Sequence, residues 1–315
     1  MRFPRPAPMR LLFALLATAL ALSSCGFMGR VTTRNLALSG EPRKIPNKIR
    51  EPRRPDARLA VLWVGHATVL VQMDDVFVLT DPVFTQNVAG LSPRLVEPGI
   101  DAVNVPPLAA VVVSHMHFDH LSYDSLAMLE HKTNIVLVPP GVRASIPRYA
   151  FESRELDRWE SYEAGGVRIT AVPVRHVGGR WLLDAAWRPR AFTGYVFEYH
   201  GLSVYFGGDT AFDAELFQAT RARFPQLTLA VLPICPTEPR DFMKRTHMDT
   251  LEALDAFSLL GAARMVPMHF DTFINSDDRV GDCPRLLRQH MQERGLGDDR
   301  VAVLAIGEQR VLIPK

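Results

Sequence analysis

The most constraining feature of this chain is a polar segment at residues 114–120, Ser-His-Met-His-Phe-Asp-His, which holds three imidazoles and a carboxylate. The segment directly follows the wholly apolar run at 109–113, which is typical of a buried strand. Because alternate side chains of an extended segment point the same way, its first two histidines are able to bind one metal ion. The Asp-His pair that follows is placed to reach a second ion. These four candidate ligands are His115, His117, Asp119 and His120.

Three later polar residues also follow predicted strands, at 169–175, 202–206 and 264–268. They are His176, Asp209 and His269. A single histidine after a strand is most often structural, and the Gly-Gly-Asp-Thr around Asp209 is by itself typical of a turn. Their joint occurrence in this order predicts a metal centre, since imidazole and carboxylate are the donors expected for zinc and similar divalent ions.

Strands and helices alternate through the rest of the chain. Further strands are predicted at 59–64, 68–73, 76–80, 134–139, 167–174, 191–199 and 227–233, with a last strand pair at 301–312. Helices are predicted at 122–131, 211–223 and 247–260 and near 284–293. Two β-rich halves that each carry helices indicate an α/β fold, an αββα sandwich.

The spacing His-x-His-x-Asp-His after an apolar strand resembles the signature of the metallo-β-lactamase superfamily. The resemblance implies a first metal bound by His115, His117 and His176. It implies a second bound by Asp119, His120 and His269, with Asp209 as the bridging carboxylate. We therefore expect two Zn²⁺ per chain, with other divalent ions as alternatives, and a metal-bridging hydroxide as the nucleophile.

Four more segments resemble the phospholipase D type that hydrolyses N-acylphosphatidylethanolamine and its bacterial lactonase-like relatives. They are Trp-Val-Gly-His-Ala-Thr at 63–68, Leu-Thr-Asp-Pro at 79–82, Glu-Pro-Arg-Asp-Phe-Met at 238–243 and Met-His-Phe-Asp-Thr-Phe at 268–273. The resemblance covers roughly residues 59 to 275. It departs at 188–194, Arg-Pro-Arg-Ala-Phe-Thr-Gly, where the phospholipase carries a Trp-Gly-Ser segment.

The leading hypothesis is a zinc-dependent phosphodiesterase that acts on phospholipids of the cell envelope. Hydrolysis of a lactone or of another cyclic ester or amide, a small-molecule substrate, stays open because it uses the same hydroxide. A protein of another class, which holds iron for redox work or only binds a ligand on the same fold, is the third alternative.

Three residues are candidates for a direct part in catalysis. Asp119 is expected to orient the hydroxide. The resemblance implies that His66 either orients a ligand or contacts substrate, and His247 either donates to a substrate oxyanion or leaving group or is a helix residue without function. Asp81 is expected to orient a metal-bound histidine through the second ring nitrogen of that histidine.

Residues 1–25 are typical of a bacterial lipoprotein signal peptide. Three arginines precede the apolar run at 11–22, which is shorter than the ~20 residues that a membrane-spanning helix needs. Leu-Ser-Ser-Cys at 22–25 resembles a lipobox, in which Cys25 is lipidated and anchors the protein in a membrane. An ordinary secretory leader is the alternative. Gly26 favours the periplasmic face of the outer membrane over the inner membrane.

Residues 26–58 are predicted to form an extended basic tether, with nine Lys or Arg, three acidic residues and four prolines. The positive charge of the tether fits binding to an anionic membrane surface, and the segment is equally compatible with a solvated linker that binds nothing. Since the whole chain has a formal charge of +2, the single hydrolase domain predicted at 59–315 is net negative. That balance argues against a nucleic-acid partner. The oligomeric state is left open.

The chain has three cysteines, of which one belongs to the lipobox. The other two, Cys235 and Cys283, are able to pair in an oxidising compartment. Two free buried thiols are the default expectation, because the sequence does not reveal the distance between them.

Overall fold

The computed structural model describes residues 26–38, 40–180 and 190–315. The predicted signal peptide with its lipobox at 22–25 lies outside the described residues. Two residues of the segment at 188–194 also lie outside them.

Most of the chain forms two large β-sheets. Within the described residues, the strands in chain order are β1 (Ala57–Gly65), β2 (Thr68–Met73), β3 (Val76–Thr80), β4 (Asn87–Val88), β5 (Ser92–Pro93), β6 (Ala110–Val112), β7 (Ile135–Val138), β8 (Glu152–Glu155), β9 (Ser161–Ala164), β10 (Val167–Val172), β11 (Gly194–Tyr199), β12 (Leu202–Phe206), β13 (Leu229–Pro233), β14 (Arg264–Met268) and β15 (Gln309–Pro314). The first sheet has the order β15-β1-β2-β3-β6-β7-β8 and the second the order β14-β13-β12-β11-β10-β9. In each sheet one half is antiparallel and the other half is parallel.

Helices cover both outer faces of the paired sheets. They are α1 (residues 26–37), α2 (Tyr123–Met128), α3 (Ala214–Arg223), α4 (Arg240–Met243), α5 (Thr250–Leu260) and α6 (Asp282–Glu293). The best defined start is that of α5, where the Asp249 side chain accepts from the Glu252 backbone and the Glu252 side chain accepts in return. None of the helices within the described residues has the length and apolar character needed to cross a membrane.

Alternate side chains of the strands divide the interior into two cores. In β1, Val61 and Trp63 pack in the larger core, with side chains of the second sheet, α3, α5 and α6. The neighbouring Leu62 and Val64 point to the opposite face and pack in the smaller core, which includes Leu126 of α2. The layers are therefore helix, sheet, sheet and helix, which confirms the predicted αββα sandwich.

The predicted extended tether differs from the structure. Residues 26–37 are helical, and the helix buries Phe27, Val31 and Asn35 at a spacing of four residues. The Asn35 amide donates to the Ile274 carbonyl at 2.8 Å. Further along, Arg43 donates its backbone N–H to Leu95. The segment is therefore bound along the domain surface because it has domain partners that no local pattern reveals.

Two edge strands were missing from the sequence prediction, and one predicted pair is wrong. β8 and β9 lie at the outer edges of the two sheets, and their half-exposed charged side chains obscure the alternation that marks a strand. The strand pair predicted at 301–312 is replaced by β15 alone, which pairs with β1. Val301 forms only an isolated bridge to Met265.

Candidate metal centre

All seven predicted metal ligands converge in one buried cluster between the ends of several strands. The segment with His115 follows β6, and the other three ligands follow β10, β12 and β14. These three are His176, Asp209 and His269. The side chains form overlapping groups of potential metal donors, with the donor atoms of each group within 4.8 Å of one another. Residues 115 and 269, which are 154 positions apart in the chain, come together here because the strands that precede them end at the same edge of the sandwich.

The first donor group consists of three imidazoles. His115 Nε2 lies 2.8 Å from His117 Nδ1, and His176 Nε2 lies 3.5 Å from the same nitrogen. Zinc–nitrogen bonds of about 2.0–2.1 Å at tetrahedral angles put neighbouring donors roughly 3.3 Å apart. The three nitrogens therefore have the spacing of donors to one divalent ion.

The second donor group lies directly beside the first. His120 Nε2 is 3.2 Å from His269 Nε2 and 3.8 Å from Asp119 Oδ2. His120 is fully buried, whereas the Asp119 side chain is 24% exposed. This group has two imidazoles and a carboxylate at the spacing of donors to a second ion, on the side of the centre that is open to solvent.

Asp209 lies between the two groups. Its Oδ2 is 4.0 Å from both His115 Nε2 and His176 Nε2 and 3.3 Å from His120 Nε2. Its Oδ1 is 3.0 Å from His269 Nε2 and has no hydrogen-bond donor within the described residues, although it is buried. A buried carboxylate oxygen without a donor is costly unless a cation faces it. The arrangement therefore fits a carboxylate shared by two metal ions.

Hydrogen bonds on the far side of the rings orient the imidazoles. The His176 Nδ1–H donates to the Thr246 carbonyl at 3.0 Å, and the His269 Nδ1–H donates to the Cys235 carbonyl at 2.9 Å. In these tautomers the Nε2 lone pair of each ring faces the centre.

Asp81 orients the second group in the expected manner. Its Oδ2 accepts from His120 Nδ1 at 2.7 Å and from the Ser114 hydroxyl at 2.6 Å. Its Oδ1 accepts from the Ser114 backbone N–H at 2.6 Å. Asp81 thereby links the His120 ring to the start of the His-x-His segment, so the two donor groups hold each other in place.

The backbone at the centre is unusual at several points. His66, Asp81 and His269 have positive φ angles of 54°, 34° and 67°, a region that residues other than glycine rarely adopt. Such conformations cluster at functional sites, where the surrounding structure holds them. At Gly208 an added Cβ would lie 2.3 Å from the Ser114 Cβ, so only glycine fits beside the metal-binding segment.

Burial and neighbouring charges set the protonation of the ligands. Burial holds the pKa values of His115 and His176 well below the usual range, so both are neutral donors. Burial also opposes the charged form of His120, but the surrounding carboxylates, led by Asp209, raise its pKa well above the usual value. Because a metal ligand must be deprotonated, a cation at this position replaces that proton.

The structure also brings the candidate catalytic residues to this centre. His66 Nε2 lies 2.9 Å from Asp119 Oδ2, and its ring centroid is 3.9 Å from that of His269. His247 Nδ1 lies 3.7 Å from Asp209 Oδ2. His247 precedes α5 rather than beginning it, since that helix starts at Thr250.

Sequence reasoning missed several contributors to the site. Thr272 accepts the His66 backbone N–H at 2.7 Å and thereby fixes the loop that carries His66. Cys235 and Cys283 form a disulfide with their Cα atoms 6.3 Å apart, so the default expectation of free thiols is wrong. The bond ties α6 to the loop whose carbonyl orients His269. Neither contribution has a local signal, because both connect residues far apart in the chain.

The fold is that of the β-lactamase superfamily, to which the chain belongs. A family model described as a β-lactamase superfamily domain matches residues 77–270, which confirms the resemblance found in the sequence. The chain is 30% identical over 259 residues to a metal-dependent hydrolase from Methanopyrus kandleri, and the match covers 79% of this chain and 98% of that protein. The chain thus belongs to the same family as that protein.

Other relatives share part of their length with the chain. It is 30% identical over 234 residues to the N-acyl-phosphatidylethanolamine-hydrolyzing phospholipase D 1 of Caenorhabditis elegans, a match that covers 69% of this chain and 65% of the relative. The chain spans 61% of the length of the mycobacterial relatives that it matches. A solved structure of isothiocyanate hydrolase from Delia radicum gut bacteria has the same fold, with a TM-score of 0.63, 20% identity and coverage of 81% and 99%.

Proposed function

We propose that the protein is a metal-dependent phosphodiesterase of the phospholipase D type that acts on phospholipids. A two-metal hydrolase is supported above all by the position of Asp209 between two groups of potential metal ligands. One of its buried carboxylate oxygens has no hydrogen-bond donor among the described residues. The 30% identity to the nematode phospholipase supports the phosphodiester specificity.

The seven donors would hold two divalent ions, which when bound supply hydroxide at neutral pH and neutralise charge on the reacting oxygens. The first group, with His115, supplies only neutral imidazoles, while Asp119 and Asp209 bring the negative charge. Even with Asp81 behind His120, the three carboxylates carry less charge than two divalent ions, so the loaded centre is net positive. That charge favours an anionic substrate such as a phosphodiester over a neutral one.

His66 is proposed to position Asp119. Burial and the neighbouring His269 lower the pKa of His66 to about 3, so the ring is neutral. With its proton on Nε2 it donates to Asp119 Oδ2 across 2.9 Å and holds that carboxylate in the second donor group. Replacing His66 therefore disturbs Asp119 without removing any of the seven predicted ligands.

His247 is proposed to contact substrate. Burial lowers its pKa to about 4, so the ring is neutral, and its Nδ1 is buried without a hydrogen-bond partner within the described residues. Such a nitrogen is costly to leave unpaired. A phosphoryl or leaving-group oxygen beside Asp209 would satisfy it, with His247 as the donor.

The experiment compares turnover of bis(p-nitrophenyl) phosphate with a lactone panel, on protein whose metal content has been measured. We expect phosphodiester hydrolysis that disappears with chelator and returns with zinc. Faster turnover of lactones would show that the protein is a lactonase and not a phosphodiesterase. Bound iron with no hydrolysis of either substrate would favour a redox or binding protein.

Lipid attachment is a separate part of the proposal. The helix α1 starts the described chain directly after position 25, and two of its exposed side chains are apolar, Met28 at 55% and Leu36 at 75%. Phe242 is 51% exposed and its ring centroid lies 5.6 Å from that of Phe27. We propose that lipidated Cys25 holds this face against the periplasmic side of the outer membrane. Incorporation of labelled palmitate should be lost in Cys25→Ala; equal labelling of both proteins would contradict attachment at that residue.

A further inference from the structure

A cleft of about 280 Å³ opens directly beside the second donor group. Its floor contains His117 and Asp119. Its walls are largely apolar and are formed by Val88, Leu91, Phe118 and Phe273. None of the described residues that line it is Lys or Arg. The volume is close to the lower limit of about 300 Å³ for small-molecule sites.

One wall of the cleft is a tight hairpin. β4 and β5 are joined by a turn in which Leu91 N–H donates to the Val88 carbonyl at 3.0 Å. The two central residues, Ala89 and Gly90, have positive φ angles of 53° and 71°, the conformation of a type I′ turn. Leu91 is 68% exposed next to this turn. A rigid turn thus presents a large apolar side chain at the mouth of the metal centre.

A buried arginine anchors the hairpin. Arg94 directly follows β5 and is only 2% exposed, yet it forms no ion pair with a carboxylate of the described residues. Its guanidinium donates to the carbonyls of Val83 and Thr85 and lies 5.0 Å from the ring centroid of Phe273. Burial lowers the pKa of Arg94 to about 10, which is still high enough to keep it charged. Arg94 therefore locks one wall of the cleft to the opposite wall.

We propose that this cleft binds an apolar chain or ring of the substrate, next to the bond that the metal centre cleaves. The identity of that bond rests on the proposed function. The apolar walls of the cleft indicate the class of substrate, an anionic phosphoryl compound that carries an uncharged alkyl or aryl substituent. The phosphoryl group would face the metal ions held by the second donor group, and the substituent would lie against Leu91 and remove its apolar surface from water.

The experiment measures binding of methyl-, butyl-, hexyl- and octylphosphonate to the zinc-loaded full-length chain by isothermal titration calorimetry. These probes carry a phosphoryl group but no cleavable ester, so the readout does not depend on turnover. Burial of each methylene is expected to tighten binding about fourfold until the cleft is filled. Leu91→Asn should reduce this dependence to under twofold per methylene, and Leu91→Phe should retain it.

The matched control is Val103→Asn. Like Leu91, Val103 is a branched aliphatic residue with an exposed side chain, 76% exposed, but it does not line the cleft. It should leave the chain-length dependence at the wild-type value. Affinity that does not vary with chain length, no binding of any phosphonate, or an unchanged dependence in Leu91→Asn would overturn the proposal. If binding depends on chain length but the protein hydrolyses no phosphodiester, the apolar binding site in the cleft would be supported and the proposed function would be refuted.

Discussion

Asp209→Asn removes one negative charge from the middle of the metal centre and keeps the shape of the side chain. The carboxylate faces five imidazole nitrogens, at 3.0 Å (His269), 3.3 Å (His120), 3.7 Å (His247) and 4.0 Å (His115 and His176). Asn offers one oxygen, so one donor group loses a ligand and faces an amide N–H instead. The change also removes the negative charge that lies between the two donor groups and would offset the repulsion between two cations.

We expect Asp209→Asn to lose at least one metal equivalent per chain and to lower kcat/KM more than 100-fold. Changes to residues that only orient a ligand typically cost 10–100-fold, and a shared ligand has to exceed that range. A 100-fold loss corresponds to about 2.7 kcal/mol of transition-state stabilisation.

The assay combines metal analysis, circular dichroism and hydrolysis of the chromogenic phosphodiester. His66→Ala is the comparison, since it disturbs the position of Asp119 but removes none of the seven predicted ligands, and its loss should stay within 10–100-fold. Near-normal turnover with two bound metals in Asp209→Asn would mean that Asp209 is only a turn residue. The two-metal mechanism would then have to be abandoned.

Three further changes test the centre and its support. His117→Ala should lower metal content, whereas His131→Ala, at an exposed position outside the centre, should not; equal metal contents in the two variants would contradict the ligand assignment. Asp81→Asn should weaken metal affinity 10–100-fold in a chelator competition, because it removes the charged acceptor of the His120 Nδ1–H, and unchanged affinity would show that the contact is incidental. Replacing both Cys235 and Cys283 by Ala should lower the free energy of unfolding by roughly 2–4 kcal/mol in urea, given the 48-residue separation, and unaltered stability would show that the disulfide adds none.

The basic segment before the domain has a role that its composition did not reveal. Several of its cations pair with acidic residues of the net negative domain. Arg30 contacts Asp277, and Lys48 contacts Glu97. The Arg30–Asp277 pair is at the surface, and a single pair of that kind contributes little stability, whereas the Lys48 and Glu97 side chains are only 14% and 15% exposed. These pairs nevertheless neutralise part of the positive charge of the segment, which from composition alone could have bound an anionic membrane. The exposed apolar residues of α1 are therefore the better argument for membrane contact.

Local patterns were sufficient for the strands that are buried on both faces. β2, β3, β12 and β14 have the bounds predicted from their apolar runs, because such strands are marked by composition alone. The edge strands β8 and β9 were missed because their exposed charged side chains are as common in loops as in strands. The predicted strand pair at 301–312 failed because β15 finds its partner in β1, at the other end of the domain.

The sequence by itself determined the donor types, the order of the seven candidate ligands and their positions at strand ends, and hence the superfamily. These properties follow from local spacing and from side-chain chemistry. The resemblance implied a shared Asp209 and an orienting Asp81. Only the tertiary structure decided which nitrogens face each oxygen of Asp209, that His120 is the ring held by Asp81, and that the hairpin held by Arg94 forms a cleft over the centre. The physical reason is that these contacts join separate segments: the stacking of the two sheets brings Asp209 to His120, and the pairing of β3 with β6 within one sheet brings Asp81 to His120. Distances between such segments depend on the packing of the whole core and on no feature of the residues near them in the chain.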